Sequence, residues 1–250
     1  MRLLLLLAVA LALPVHAETI RLTNGEWSPY MGEKLPHQGV ASRIVSEAFA
    51  SEGIEVQWMF YPWARALQSA ELGKSAGAAV WRHNPEREQA FFVSDAVVES
   101  NYYLFHRKDQ PFDWQTVDDL QGRRIGAAID YDYGADFQAG ERSGHLQVKR
   151  LSNEEQGLRM LLAGRLDVMP MDKVVAFDLL RGNFSREERA QLTFHPQSLR
   201  DDSLHLLLSR QAPGNEAMLE RFNRGLKTLR DSGRVSQYLL DVQQPLSALP

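Results

Sequence analysis

The sequence predicts an α/β fold in two lobes, each a sheet flanked by helices, with the chain crossing twice between them. Three observations lead there. Apolar strands and helix-spaced segments alternate from Ile20 to Trp81, a second alternation starts at Ile125, and two polar crossings would return the C-terminal helices to the first lobe.

Ile20–Thr23 alternates as a strand, and Asn24-Gly25-Glu26-Trp27-Ser28-Pro29-Tyr30 ends it with turn residues. Val40, Ile44, Val45, Ala48 and Phe49 follow helical spacing up to Gly53. Val56–Phe60 is the next strand, and Pro62-Trp63 opens a helix through Ala66, Leu67 and Ala70 to Gly73. Gly77–Trp81 reads as a strand running into a polar loop that carries Trp81, Arg82 and Arg87. Open α/β sheets present binding groups in this way, at the carboxyl ends of their strands.

Tyr102–His106 is a strand, and Arg107-Lys108-Asp109-Gln110-Pro111 suits a crossing. Ile125–Ile129 opens the second lobe, followed by the loop Asp130-Tyr131-Asp132-Tyr133-Gly134 and a short helix over Ala135–Ala139. Ser152-Asn153-Glu154-Glu155 has capping-box form before the helix of Leu158, Leu161 and Leu162. Val168–Met171 is a buried strand, with Asp172 at its junction with the helix of Val174, Val175, Phe177 and Leu180. Ser185-Arg186-Glu187-Glu188 caps one more helix, Leu204–Leu208 is a strand, and the helix from Asn215 puts Met218, Leu219, Phe222, Leu226 and Leu229 on one face. Crossings near residues 104–110 and 198–206 divide the chain into a leader over 1–17, a first lobe over 18–105 and 201–250, and a second lobe over 106–200.

The leader expectation rests on Met1-Arg2, the apolar run Leu3–Leu13 and the small residues Val15 and Ala17, which predict a secretory signal peptide cleaved after Ala17. No later apolar run is long enough to span a bilayer, so the exported chain is expected to be soluble and periplasmic. The sequence contains no cysteine, which excludes disulfides, thiolate nucleophiles and Cys-based zinc sites. A net charge of −4 without a basic tract argues against nucleic acid and anionic membranes, leaving a small soluble ligand as the partner.

Other chemistries fit poorly. Gly73-Lys74-Ser75-Ala76-Gly77 matches a nucleophile-elbow pattern, but the elbow needs a strand before it and a helix after it, the reverse of the order here. Asp130, Asp132, Asp136 and Glu141 match part of a calcium-loop template, yet Ala135 stands where that loop needs glycine. The histidines show no paired ligand spacing, so neither metal nor cofactor is expected.

In order along the chain, Thr23–Tyr30, Pro62-Trp63, Gly73-Lys74, Pro85-Glu86-Arg87 with Phe92-Val93-Ser94-Asp95, Asp119–Gly126 and Gly164–Asp172 resemble the family 3 periplasmic solute-binding proteins. These are the extracytoplasmic receptors of polar amino-acid ABC importers. The resemblance covers residues 18–250 and implies the type II two-lobe periplasmic binding protein fold. It implies that Arg87 pairs with the ligand's α-carboxylate and that Asp172, on the other lobe, binds the α-ammonium. A guanidinium matches a carboxylate through two parallel hydrogen bonds. Trp27 and Trp63 match the family's flanking aromatic and apolar positions, where two facing indoles would sandwich a side chain; core packing is the alternative for each.

The sequence also departs from the family. Ala79-Val80-Trp81-Arg82-His83-Asn84 replaces the hydroxyl-rich Ser-x-Ser-x-Thr run and is one residue shorter. Trp81 and Arg82 therefore join the candidate site, with Arg82 either a second anion contact or a solvated residue. Asp130, Tyr131, Asp132 and Tyr133 replace the usual Gly-Thr or Gly-Ser loop, as an acidic subsite or, for Asp132, a helix cap. The expected ligand is a zwitterion, extending to a modified amino acid, a small peptide or an amine. The resemblance implies a monomeric receptor serving an ABC permease. A partner of a membrane signalling protein is the alternative, and a dehydratase-like enzyme on the same fold is less favoured because no complete catalytic constellation is present.

Overall fold

The computed structural model describes residues 18–129 and 131–247; the expected signal peptide and Asp130 lie outside the described residues. The first lobe opens with β1 (Glu18–Asn24), α1 (Val40–Ala50), β2 (Ile54–Phe60), α2 (Trp63–Glu71), β3 (Gly77–Arg82) and α3 (Pro85–Ala90). A long strand, β4 (Phe91–Arg107), leads into β5 (Arg124–Ala128), α4 (Ala135–Ser143), β6 (Gln147–Leu151), α5 (Glu154–Leu162), β7 (Val168–Asp172), α6 (Lys173–Asn183) and α7 (Arg186–Ala190). A second long strand, β8 (Leu192–Ser209), precedes α8 (Asn215–Asp231) and α9 (Arg234–Ser247).

The strands form one curled sheet in the order β2-β1-β3-β8-β4-β7-β5-β6. The β1 pairs with β2 and β3 are parallel, as are those of β5 with β6 and β7; β8 runs antiparallel to β3 and β4, and β4 antiparallel to β7. Leu22, Ile44, Phe49, Leu206, Phe222 and Leu226 anchor the core of the first lobe. The second lobe buries Phe105, Leu158 and Met169 in one cluster, and Tyr102, Ile125 and Phe137 in another.

The two long strands, β4 and β8, connect the two halves of the sheet. Leu204–Leu208 of β8 pairs with β3, whereas Tyr102–His106 of β4 pairs with β7. Between them, Glu99, Ser100 and Asn101 pair only with Ser203, Asp202 and Asp201, and the register shifts on both sides. The segment Arg107–Gln110, expected as a crossing, forms a turn at the far end of β4, where Lys108 N donates to Gln191 O. The polar stretches Ser94-Asp95 and Arg200–Ser203 break the apolar pattern that marks a strand, so 17- and 18-residue strands read as short ones.

Two local expectations also change. Pro85-Glu86-Arg87 is the first turn of α3, with Pro85 at its first position and Asn84 Oδ1 accepting from Arg87 N at 2.8 Å. The cap of α5 is Asn153, not Ser152: its Oδ1 accepts from Gln156 N at 2.8 Å.

Candidate ligand cleft

The end of β1 is tied to its neighbours by side chains. Thr23 Oγ1 donates to Ala66 O of α2 at 2.8 Å and lies 3.1 Å from Gly77 O of β3. Asn24 Nδ2 donates to Ser42 Oγ of α1 at 2.9 Å. Beyond it, Gly25 leaves room for the Trp63 ring; a Cβ at that position would lie 2.5 Å from the indole. Trp63 meets Trp81 edge-on at 5.2 Å between centroids, and Trp27 packs on Tyr30 at 4.9 Å. The indoles of Trp27 and Trp63 therefore pair with different aromatic rings rather than with each other.

These groups line a cavity of about 440 Å³ between the lobes. It brings together seven of the residues singled out from the sequence: Trp27, Trp63, Trp81, Arg82, Arg87, Tyr131 and Asp132. Tyr102, Ile129 and Arg200 join them. The buried indole Nε1 atoms of Trp27 and Trp81 have no hydrogen-bond acceptor among the described residues.

The charges in the cavity divide into committed and uncommitted groups. Asp202 Oδ2 lies 2.8 Å from Arg82 Nε and 2.6 Å from Arg200 Nε, and Arg200 Nη1 lies 2.8 Å from Asp132 Oδ2. Arg82 Nη1 also donates to Asp132 O at 3.2 Å, and its guanidinium lies 4.7 Å from the Tyr102 ring centroid. This network links β3, β8 and the loop after β5. Burial raises the pKa of Asp132, but hydrogen bonds from Arg200 and Gly134 N outweigh it and hold the carboxyl below its usual value.

Arg87 has no carboxylate within ion-pair reach among the described residues. Its Nη1 donates to Arg82 O, and its guanidinium sits 4.9 Å from the Trp81 ring centroid. Burial, followed by repulsion from Arg82, lowers its pKa from the ordinary arginine value. An arginine still stays protonated under such conditions, so the cavity contains an unneutralised cation.

Asp172 and Tyr133 do not line this cavity. Asp172 is only 1% exposed. Its Oδ1 accepts from Val174 N and Val175 N at 2.8 and 3.0 Å, while Oδ2 accepts from Ser100 Oγ at 2.9 Å and Tyr30 Oη at 3.3 Å. That accounts for the carboxylate's lone pairs. Tyr133 is also 1% exposed, and its Oη accepts from Ala128 N at 2.9 Å within the second-lobe core. Asp132 Oδ1 accepts from Gly134 N at 2.9 Å and so closes a turn, while Gly134 itself occupies the cap position of α4.

A second, wider cavity of about 910 Å³ adjoins the first, with Trp27, Ile129 and Tyr131 forming a common wall. Glu154, the first residue of α5, lines it and is 8% exposed; its buried Oε1 has no hydrogen-bond partner among the described residues. Burial, then the charge of Asp172, pushes its pKa up to about 8, with Arg82 opposing. The sequence marked Glu154 only as part of a capping box.

The profile of the bacterial extracellular solute-binding proteins, family 3, matches residues 22–240. No curated protein sequence matches the chain. Among solved structures, a histidine kinase sensor domain with similarity to periplasmic binding proteins is 19% identical with a TM-score of 0.70, over 89% of this chain and 95% of that one. An ancestral arginine-binding protein bound to arginine is 17% identical with a TM-score of 0.69, over 89% and 97%. The amino acid ABC transporter substrate-binding protein AbpA from Streptococcus pneumoniae, bound to L-arginine, is 17% identical with a TM-score of 0.66, over 90% and 94%. At these identities the structures share the fold. With the profile match spanning nearly the whole described chain, this protein belongs to the family 3 bacterial extracellular solute-binding proteins.

Proposed function

We propose that this protein is a periplasmic receptor that closes its lobes on a small zwitterionic ligand, an amino acid or a close relative, and delivers it to an ABC importer. The observation that carries the reading is Arg87: a guanidinium without a carboxylate partner among the described residues, set against Trp81 in an aromatic cavity between the lobes. Such a group binds a carboxylate bidentately, and closure removes the water that competes for it. Trp27, Trp63, Trp81 and Tyr131 supply the surfaces for the rest of the ligand. Arg82 and Asp132 act through the network that joins the lobes. In this reading the lobes meet at Glu99–Asn101 and Asp201–Ser203, the chain acts as a monomer, and residues 1–17 direct export.

In this reading the ligand is released unchanged. A thermal-shift screen over amino acids, dipeptides, polyamines and organic acids tests the binding. Small-angle scattering with each stabilising compound tests closure, which predicts a smaller radius of gyration. A screen in which only compounds without a carboxylate stabilise the protein contradicts the reading.

The likeness to a histidine kinase sensor domain favours a second reading, in which the liganded form docks on a membrane signalling protein. Permease and ATPase genes beside the coding gene support transport; a sensor kinase gene there supports signalling.

A further inference from the structure

The family resemblance assigns the ligand's ammonium to Asp172, but the geometry of that carboxylate argues otherwise. Two backbone amides of α6, the Ser100 hydroxyl and the Tyr30 hydroxyl already use its lone pairs. Tyr30 also packs against Trp27, on the wall of the cleft, so it stands between Asp172 and the cavity's aromatic lining.

Glu154 presents the opposite case. It is more than nine-tenths buried, lines the wider cavity, and carries an Oε1 without a hydrogen-bond partner among the described residues. Three residues on, Gly157 faces the Met169 side chain of β7, and a Cβ there would be 2.0 Å from Met169 Sδ. Asn153 caps the helix with its own side chain, so the Glu154 carboxyl is not required for that task. The cationic group acting on it, Arg82, is already committed to Asp202. A buried carboxyl oxygen without a hydrogen-bond partner is costly, and a ligand group that pairs with it recovers that cost.

We propose that Glu154, rather than Asp172, is the carboxylate that receives the ligand's cationic group. The cleft then takes a two-ended compound, with a carboxylate on Arg87 and an ammonium, amine or guanidinium on Glu154. The wall of Trp27, Ile129 and Tyr131 shared by both cavities supports the stretch between the two ends. The inference rests on the reading of Arg87 given above.

Binding of this kind has a proton signature. Among the described residues, Asp172, Arg82, Tyr102, Tyr131 and Tyr133 are electrostatically coupled to Glu154. In the free protein its pKa of about 8 keeps it protonated at neutral pH. Pairing with a cation favours the carboxylate, so the O–H bond breaks and the proton passes to the buffer.

The test begins with a thermal-shift panel of the twenty L-amino acids, agmatine, putrescine and glutarate. Titration calorimetry of the best stabiliser at neutral pH, in buffers of different ionisation enthalpy, then compares wild type, Glu154→Gln and Arg87→Ala. Wild type is expected to release close to one proton per ligand, a result that needs no variant. Glu154→Gln, isosteric with the protonated acid, is expected to lose that release and bind at least about tenfold more weakly. Unchanged affinity or proton release in Glu154→Gln overturns the inference, as does a panel in which glutarate alone or nothing at all stabilises the protein. Loss in Arg87→Ala with full affinity in Glu154→Gln overturns this inference and leaves the Arg87 reading standing. Full affinity in Arg87→Ala, with loss in Glu154→Gln, overturns the Arg87 reading instead.

Discussion

The Arg87 guanidinium lies 4.9 Å from the ring centroid of Trp81 and has no acidic partner among the described residues. Asn84 holds the start of α3 and Arg82 O accepts from Nη1, so the side chain is oriented while its charge stays uncompensated. Neighbouring arginines differ in this respect, since Arg82 and Arg200 share Asp202. A fixed, unpaired cation is suited to a ligand carboxylate, because little rotamer freedom remains to be lost on binding.

Arg87→Lys keeps the charge but loses the planar fork. Ligand affinity is expected to fall by about 10- to 100-fold, with the folded stability nearly unchanged. Titration calorimetry checks the first part and thermal unfolding the second.

Asp172 is expected to behave as a structural residue. Asp172→Ala removes the cap of α6 and leaves the Ser100 and Tyr30 hydroxyls without their acceptor, lowering stability by about 2–4 kcal/mol. Asp172→Asn keeps an oxygen for Val174 N and Val175 N, and both hydroxyls can turn to accept from the new amide, so its loss is expected to be smaller. Denaturant unfolding of both variants measures the difference.

Gly25 controls the Trp63 wall. In Gly25→Ala the new Cβ would press on the indole, displacing it and lowering stability by about 1–3 kcal/mol. Near-UV circular dichroism reports the moved ring, and weaker ligand binding accompanies it. Both signals unchanged would show that Trp63 does not depend on this glycine.

Glu154 makes stability depend on pH. Its folded pKa of about 8 exceeds the ordinary glutamate value of 4.5, so the folded state binds more protons than the unfolded state between these values. Stability from this group therefore falls as pH rises from about 4.5 to about 8, by a few kcal/mol at most, and levels off above. Glu154→Gln is expected to flatten that slope and to be more stable than wild type in mild alkali. Thermal unfolding across the pH range measures both curves.

Much of the fold was legible because strand and helix periods alternate clearly from Ile20 to Leu229 and glycines end several helices. The pairing of Glu99–Asn101 with Asp201–Ser203 was legible only in part: a crossing was expected near residues 198–206, but that these polar stretches hold a strand conformation by pairing with each other is a long-range fact no local pattern carries. Arg87 was singled out through its place among ordered motifs, and the structure sets it on the cavity wall. Asp172 was legible as a residue of note, but its saturation by Tyr30 and Ser100 depends on residues 142 and 72 positions away. Glu154 was hidden because a glutamate after Ser-Asn resembles ordinary helix capping. Its burial follows from α5 settling closely on β7, which only the packed structure reveals.

The central claim is that Arg87 anchors the ligand through its carboxylate. The most direct measurement compares the thermal-shift profiles of wild type and Arg87→Ala over the amino-acid and carboxylate panel. The account predicts that compounds stabilising wild type leave the melting temperature of Arg87→Ala unmoved, while the two ligand-free proteins unfold within a few degrees of each other. Equal stabilisation of both proteins by the same compounds would contradict it.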